Sequence, residues 1–139
     1  MTQLNYSRIE DVPPFGDQEP GPVGIAPMLG SWISTNPYGQ GIKEFVISRK
    51  NDQAYLQIYG TGRPEPIDWG ETPISAIYGK DVCSSEPMAF EAQYDLGFMH
   101  VHMQGNFSLG LIVLACFNVF TDNSGRSNYF SREFFRRQK

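Results

Sequence analysis

An all-β fold, an eight-stranded antiparallel up-and-down barrel behind an extended proline-rich arm, is the architecture this sequence predicts, and three observations predict it. Fourteen glycines and ten prolines are spread through 139 residues, so few stretches escape a breaker for long enough to build a helix, whereas short strands fit between the turns. Between those breakers the side chains alternate with a period of two, the spacing at which successive residues of a strand face opposite ways. The longest apolar run, Phe107 to Phe120, is rich in Leu, Ile, Val and Phe and ends in Thr121-Asp122-Asn123-Ser124-Gly125, the pattern of a buried strand entering a turn. With 40% of residues apolar and 14% aromatic, the chain can fill one core and is too short for two.

Residues 1–28 hold half of the prolines (Pro13, Pro14, Pro20, Pro22 and Pro27) and little apolar periodicity, which reads as an extended arm. It is either a disordered leader or a lid whose Tyr6, Ile9, Val12 and Phe15 lie across an opening. The barrel domain is expected over 29–139. Its first strand is LGSWISTN, turning at Asn36-Pro37-Tyr38-Gly39, and its second runs from Ile42 to Arg49. Asn51-Asp52 turns into a third strand, where Ala54, Leu56 and Ile58 alternate with Tyr55, Gln57 and Tyr59. In the fourth, IDWGETPISAIY, Gly70 and Pro73 predict a bulged or edge strand.

A loop from Gly79 to Pro87 leads to MAFEAQYD and then to FMHVHMQ, where Met99, Val101 and Met103 alternate with Phe98, His100, His102 and Gln104. Gly105-Asn106 is read as the turn into the apolar run. Beyond that run, Asn128, Phe130, Arg132, Phe134 and Arg136 alternate with Tyr129, Ser131, Glu133, Phe135 and Arg137. Eight such strands can close on themselves, leaving no edge and an interior able to hold one small ligand. A two-sheet sandwich is the alternative.

Eleven basic against fifteen acidic side chains give a net charge of −4, so no broad attraction for phosphate backbones or anionic lipid is expected, and nucleic acid and membrane are not expected partners. The opening residues place acids and prolines where a secretory signal needs a basic start and an apolar core, which predicts a cytoplasmic protein. Cys83 and Cys116 form no metal spacing or disulfide framework. No cofactor is called for.

Several groups could carry chemistry. His100 and His102 share one strand face, as paired imidazoles that move protons do, but with Asn106 standing where an HxH metal motif needs a Glu the ligand shell is incomplete, and no metal is expected. If Met99, Val101 and Met103 point inward, the histidines meet solvent; if the cavity is polar, they line it. Asp68-Trp69-Gly70-Glu71 sets carboxylates beside a large aromatic, where burial would raise a carboxyl pKa for proton transfer; a solvated turn is the ordinary alternative. Arg126, beside Asn128 and Tyr129, can clamp a carboxylate or enolate, or simply brace a hairpin turn. His102, Glu71 and Arg126 are thus the candidate catalytic residues. Tyr55, Tyr59, Trp69, Tyr94, Phe98, His100, Phe117 and Tyr129, with Phe45, form a pool of candidate ligand contacts, of which only one alternation per strand can face inward.

Gly30-Ser31-Trp32 in the first strand resembles the Gly-x-Trp signature of the calycin superfamily, which includes lipocalins and fatty-acid-binding proteins. The resemblance implies that Trp32 closes one end of the barrel beneath a basic residue of the last strand, for which Arg136 or Arg132 is available. It further implies an interior for a small hydrophobic ligand. In size, strand content and arm the chain is also similar to lipocalin-like barrels of bacterial natural-product pathways, some of which are cyclases. Three functions are therefore carried forward: a binder of a small, mostly apolar molecule, a cyclase or isomerase acting on a polyene or polyketide-type substrate in the same cavity, and a homodimerising β module with a packed core.

Overall fold

Eight antiparallel strands pair in sequence order and close into a barrel, because β1 hydrogen-bonds to β8. The strands are β1 (Gly30–Ser34), β2 (Ile42–Lys50), β3 (Gln53–Gly60), β4 (Ile67–Gly79), β5 (Pro87–Asp95), β6 (Met99–Ser108), β7 (Leu111–Phe120) and β8 (Tyr129–Arg137). This computed structural model describes residues 24–62 and 65–138. The lid expected of Tyr6, Ile9, Val12 and Phe15 falls outside the described residues.

The turns follow from backbone chemistry. Asn51 and Asp52 both have positive φ, 49° and 69°, which matches a two-residue hairpin turn to the twist of β2 and β3. A second such turn sits at Leu109 and Gly110, with φ of 53° and 81°, between β6 and β7. This corrects the expected turn at Gly105-Asn106, which is mid-strand. Gly105 is a strand position because the ring of Phe90 occupies the room of a side chain: a Cβ there would lie 2.3 Å from Cε2 of that ring. β4 is bulged, as Gly70 and Pro73 suggested, with register shifts against both β3 and β5; paired on both sides, it is not an edge.

The inward alternation is apolar around the wall. Leu56 and Ile58 on β3, Phe90 and Ala92 on β5, Val101 and Met103 on β6, and Ile112 and Leu114 on β7 are almost wholly buried. One end is solid: Phe45 stacks on Trp32 at 6.4 Å and meets the Phe135 ring edge-on at 4.8 Å, while Phe107 meets Trp32 at 6.0 Å. Residues 24–28, expected to be part of the arm, instead seal this end: Ala26–Met28 form a 3-10 turn that buries Met28, beside a buried Ile25.

The indole of Trp32 donates to the Met28 carbonyl at 3.0 Å, and a guanidinium lies 4.4 Å above its ring. That guanidinium belongs to Arg137, not to Arg136 or Arg132, which occupy the other alternation of β8. Arg137 also donates to the carbonyls of Leu29 and Pro27, both at 2.6 Å. Gly30, with φ of 119°, makes this closure feasible, since a Cβ there would lie 3.0 Å from Nη1 of Arg137.

Candidate functional site

The other end of the barrel is hollow. A cavity of about 500 Å³ opens where β2, β6 and β8 begin and β3 and β7 end. Its size lies within the range of small-molecule sites. β2, β4 and β6 supply an apolar wall, with Ile42, Ile67, Trp69 and Met99. Facing it, β7 and β8 supply a polar stripe.

The stripe follows from register. Tyr129, Ser131 and Glu133 alternate inward on β8, opposite Asn118, Cys116 and Leu114 on β7, so the polar groups stand side by side. Cys116 and Asn118 are buried, and the Nδ2 of Asn118 lies 3.4 Å from the Cys116 carbonyl oxygen. Burial pushes the Cys116 thiol up to about 12, against a smaller lowering by its hydrogen bond with Ser131. At neutral pH it is a thiol, a poor nucleophile.

Glu133 is the one charged side chain lining the cavity among the described residues. Burial holds its carboxyl above the ordinary carboxylate value, opposed by a hydrogen bond from the Ile42 N–H to Oε2 at 3.4 Å. Glycine at 41 leaves room for this group, because a Cβ there would lie 2.9 Å from Oε1. β1 ends at Ser34, opposite Phe135, so it does not separate β2 from the earlier part of β8. The Glu133 carboxylate reaches across that seam to β2.

Of the residues singled out from sequence, Trp69 and Tyr129 line the cavity. Tyr94 faces inward beneath Trp69, their rings 5.5 Å apart and edge-on. Its hydroxyl lies 2.7 Å from the Gly70 carbonyl and 2.9 Å from that of Leu56, so its proton is shared between β4 and β3. Burial drives this phenol well above its ordinary value, which keeps it neutral. Tyr94 thus fastens the β4 bulge. Phe45 belongs to the solid end.

The remaining candidates lie elsewhere. His100 and His102 are on the outer wall, because Met99, Val101 and Met103 take the inward positions of β6. His102 Nε2 pairs with Oε2 of Glu91 at 3.1 Å. Tyr55, Tyr59 and Phe117 also stand on outward alternations. Glu71 is outside too, with Lys50 at 2.8 Å, and Asp68 accepts from the Gly70 N–H and from Gln57, contacts that hold its carboxyl below the usual range. Arg126 is a rim group: its guanidinium lies over Phe120 at 4.2 Å and Phe98 at 5.7 Å and pairs with Asp122 at 2.7 Å. His102, Glu71 and Arg126 are therefore not brought together.

Asn118, Ser131 and Glu133 were not singled out from sequence. The signal for them was present in the alternation that puts Ser131 and Glu133 with Phe135, and in Asn118 as the one amide in the apolar stretch from Leu111 to Phe120. Comparison with protein-family models, with curated proteins and with solved structures finds no match.

Proposed function

We propose that this barrel binds a small, mostly apolar molecule carrying one hydrogen-bonding end, held in the cavity at its open mouth. The observation that carries this reading is the division of that cavity into an apolar wall of Ile42, Ile67, Trp69 and Met99 and a polar stripe of Asn118, Tyr129, Ser131 and Glu133. Apolar surface gives such a site its affinity, and a few placed polar groups fix the orientation of what enters. The stripe offers a carboxyl, an amide and two hydroxyls, so it suits a ligand whose polar end takes part in hydrogen bonds, as an N–H or O–H group does. The Gly30-x-Trp32 motif under Arg137 supports kinship with lipocalin-like barrels, as does strand order.

A second reading, a cyclase or isomerase acting on a polyene or polyketide-type substrate, is favoured by Glu133. A carboxyl whose proton is retained to higher pH by burial, in a cavity that folds a flexible chain, is suited to general acid catalysis. In that case Glu133 takes the role of acid.

Titration with N-phenyl-1-naphthylamine, a neutral apolar fluorophore with a donor N–H, tests the binding reading. Its emission rises and shifts to shorter wavelength on entering the cavity, and Ser131→Trp, which fills the space, abolishes the response while leaving the circular dichroism spectrum intact. An unchanged response in Ser131→Trp, or none in the parent protein, contradicts the reading. Turnover of a polyene substrate lost in Glu133→Gln, with binding retained, would favour the enzyme.

A further inference from the structure

We propose that the outer wall of β5 to β8 is a homodimer interface, on which two copies of this chain meet face to face. β7 is apolar on both alternations: Ile112, Leu114 and Cys116 turn in, while Val113, Ala115, Phe117 and Val119 turn out. A barrel interior needs only the inward set, and an outer wall left in water is ordinarily polar. Beside this strand, Phe130 and Phe134 also stand outward on β8, and the rings of Phe117 and Phe130 pack at 5.0 Å. Phe117, Val119, Phe130 and Phe134 are 45%, 40%, 54% and 40% exposed. At about 150–250 Å² for each aromatic side chain, they leave roughly 300 Å² of apolar surface in water on one face of the barrel.

Shape and charge select a second copy as the occupant. Residue rows cross the four strands: Ala89, Asn106, Val113 and Phe134; then Glu91, Gln104, Ala115 and Arg132; then Gln93, His102, Phe117 and Phe130. At the β8 end the rows carry knobs, Phe130 and Phe134, flanking the basic Arg132. Toward β5 lies a hollow of about 390 Å³, floored by the short outward side chains of Ala89 and Ala115 and bordered by Gln104 and Asn106. Glu91 stands beside it, held by His102 and by the Tyr78 hydroxyl.

A two-fold axis lying in the interface, parallel to the strands between β6 and β7, keeps the rows in step and sets β5 of one copy over β8 of the other. Phe134 of each copy then enters the hollow at Ala89 of the other, and Arg132 of each meets Glu91 of the other. Two sheets packed in this way lie about 10 Å apart with their strands nearly aligned. The strip spans three strand spacings by six residues, about 14 Å by 20 Å. It forms the centre of a footprint that the exposed Tyr78, paired with Ala89, extends toward β4.

Sedimentation equilibrium of the full chain tests the interface. The parent protein is expected to be a dimer with a micromolar or tighter dissociation constant, and Phe134→Asp and Ala89→Trp are each expected to weaken it by at least about 30-fold with the melting temperature little changed. If Phe134→Asp fails to fold, Ala89→Trp on the same face decides. Glu91→Arg and Arg132→Glu alone each weaken association roughly tenfold, and together they restore it. A monomer at concentrations up to about 0.1 mM, a dimer indifferent to both Phe134→Asp and Ala89→Trp, or charge reversals that do not rescue one another would overturn the proposal.

Discussion

Glu133 condenses the chemistry of the cavity into one side chain. Desolvation raises its folded-state pKa above the ordinary carboxylate value, so between those two values the folded protein binds the proton more tightly than the unfolded chain does. The contribution of this group to stability is therefore fully present below the unfolded pKa and is lost as pH rises through the folded one. Glu133→Gln removes the ionisation, and its melting temperature is expected to fall less than that of the parent between mildly acidic and neutral pH. Identical pH profiles for the two proteins would mean that the carboxyl is solvated. Glu133 was legible in sequence only as a member of an alternation class, since its burial comes from long-range closure that sets β8 across from Ile42. His102 drew attention as an imidazole two residues from another, yet methionines on the same strand gain more from burial and turn both histidines outward.

At the scale of elements, strand order and most turns were legible because each is set by local chemistry: glycine and proline, consecutive Asn-Asp, and period-two alternation. The β6–β7 turn was misplaced by four residues because Gly105 carries two readings. A glycine in an apolar context marks either a turn or a close approach, and only the position of the Phe90 ring, fifteen residues earlier, decides between them. Gly105→Ala forces that buried ring to shift and is expected to lower stability by about 1–3 kcal/mol in chemical denaturation. Phe90→Leu on the Gly105→Ala background recovers part of that loss, whereas additive costs would show that the two positions do not share space. Likewise, the choice among Arg132, Arg136 and Arg137 above Trp32 turns on a single step of register. β1 pairs Trp32 with Arg137, and that pairing cannot be read from either strand alone.

For the whole molecule, the barrel is divided along its axis. Trp32, Phe45, Phe107 and Phe135 fill one end, sealed by residues 24–28 and Arg137, and the other end keeps about 500 Å³ open. Composition fixes neither the division nor its direction, because the same aromatic count could have filled the interior evenly. The methionines report on it directly: Met99 lines the cavity, Met28 and Met103 are buried at the solid end and in the wall, and Met88 lies on the outer surface. Methyl NMR of methionine-labelled protein titrated with N-phenyl-1-naphthylamine is therefore the most direct test of the mouth cavity as the binding site. The Met99 methyl is expected to shift with saturation while Met28 and Met88 stay fixed. A shift confined to Met88, or no saturable shift at Met99, would contradict the account.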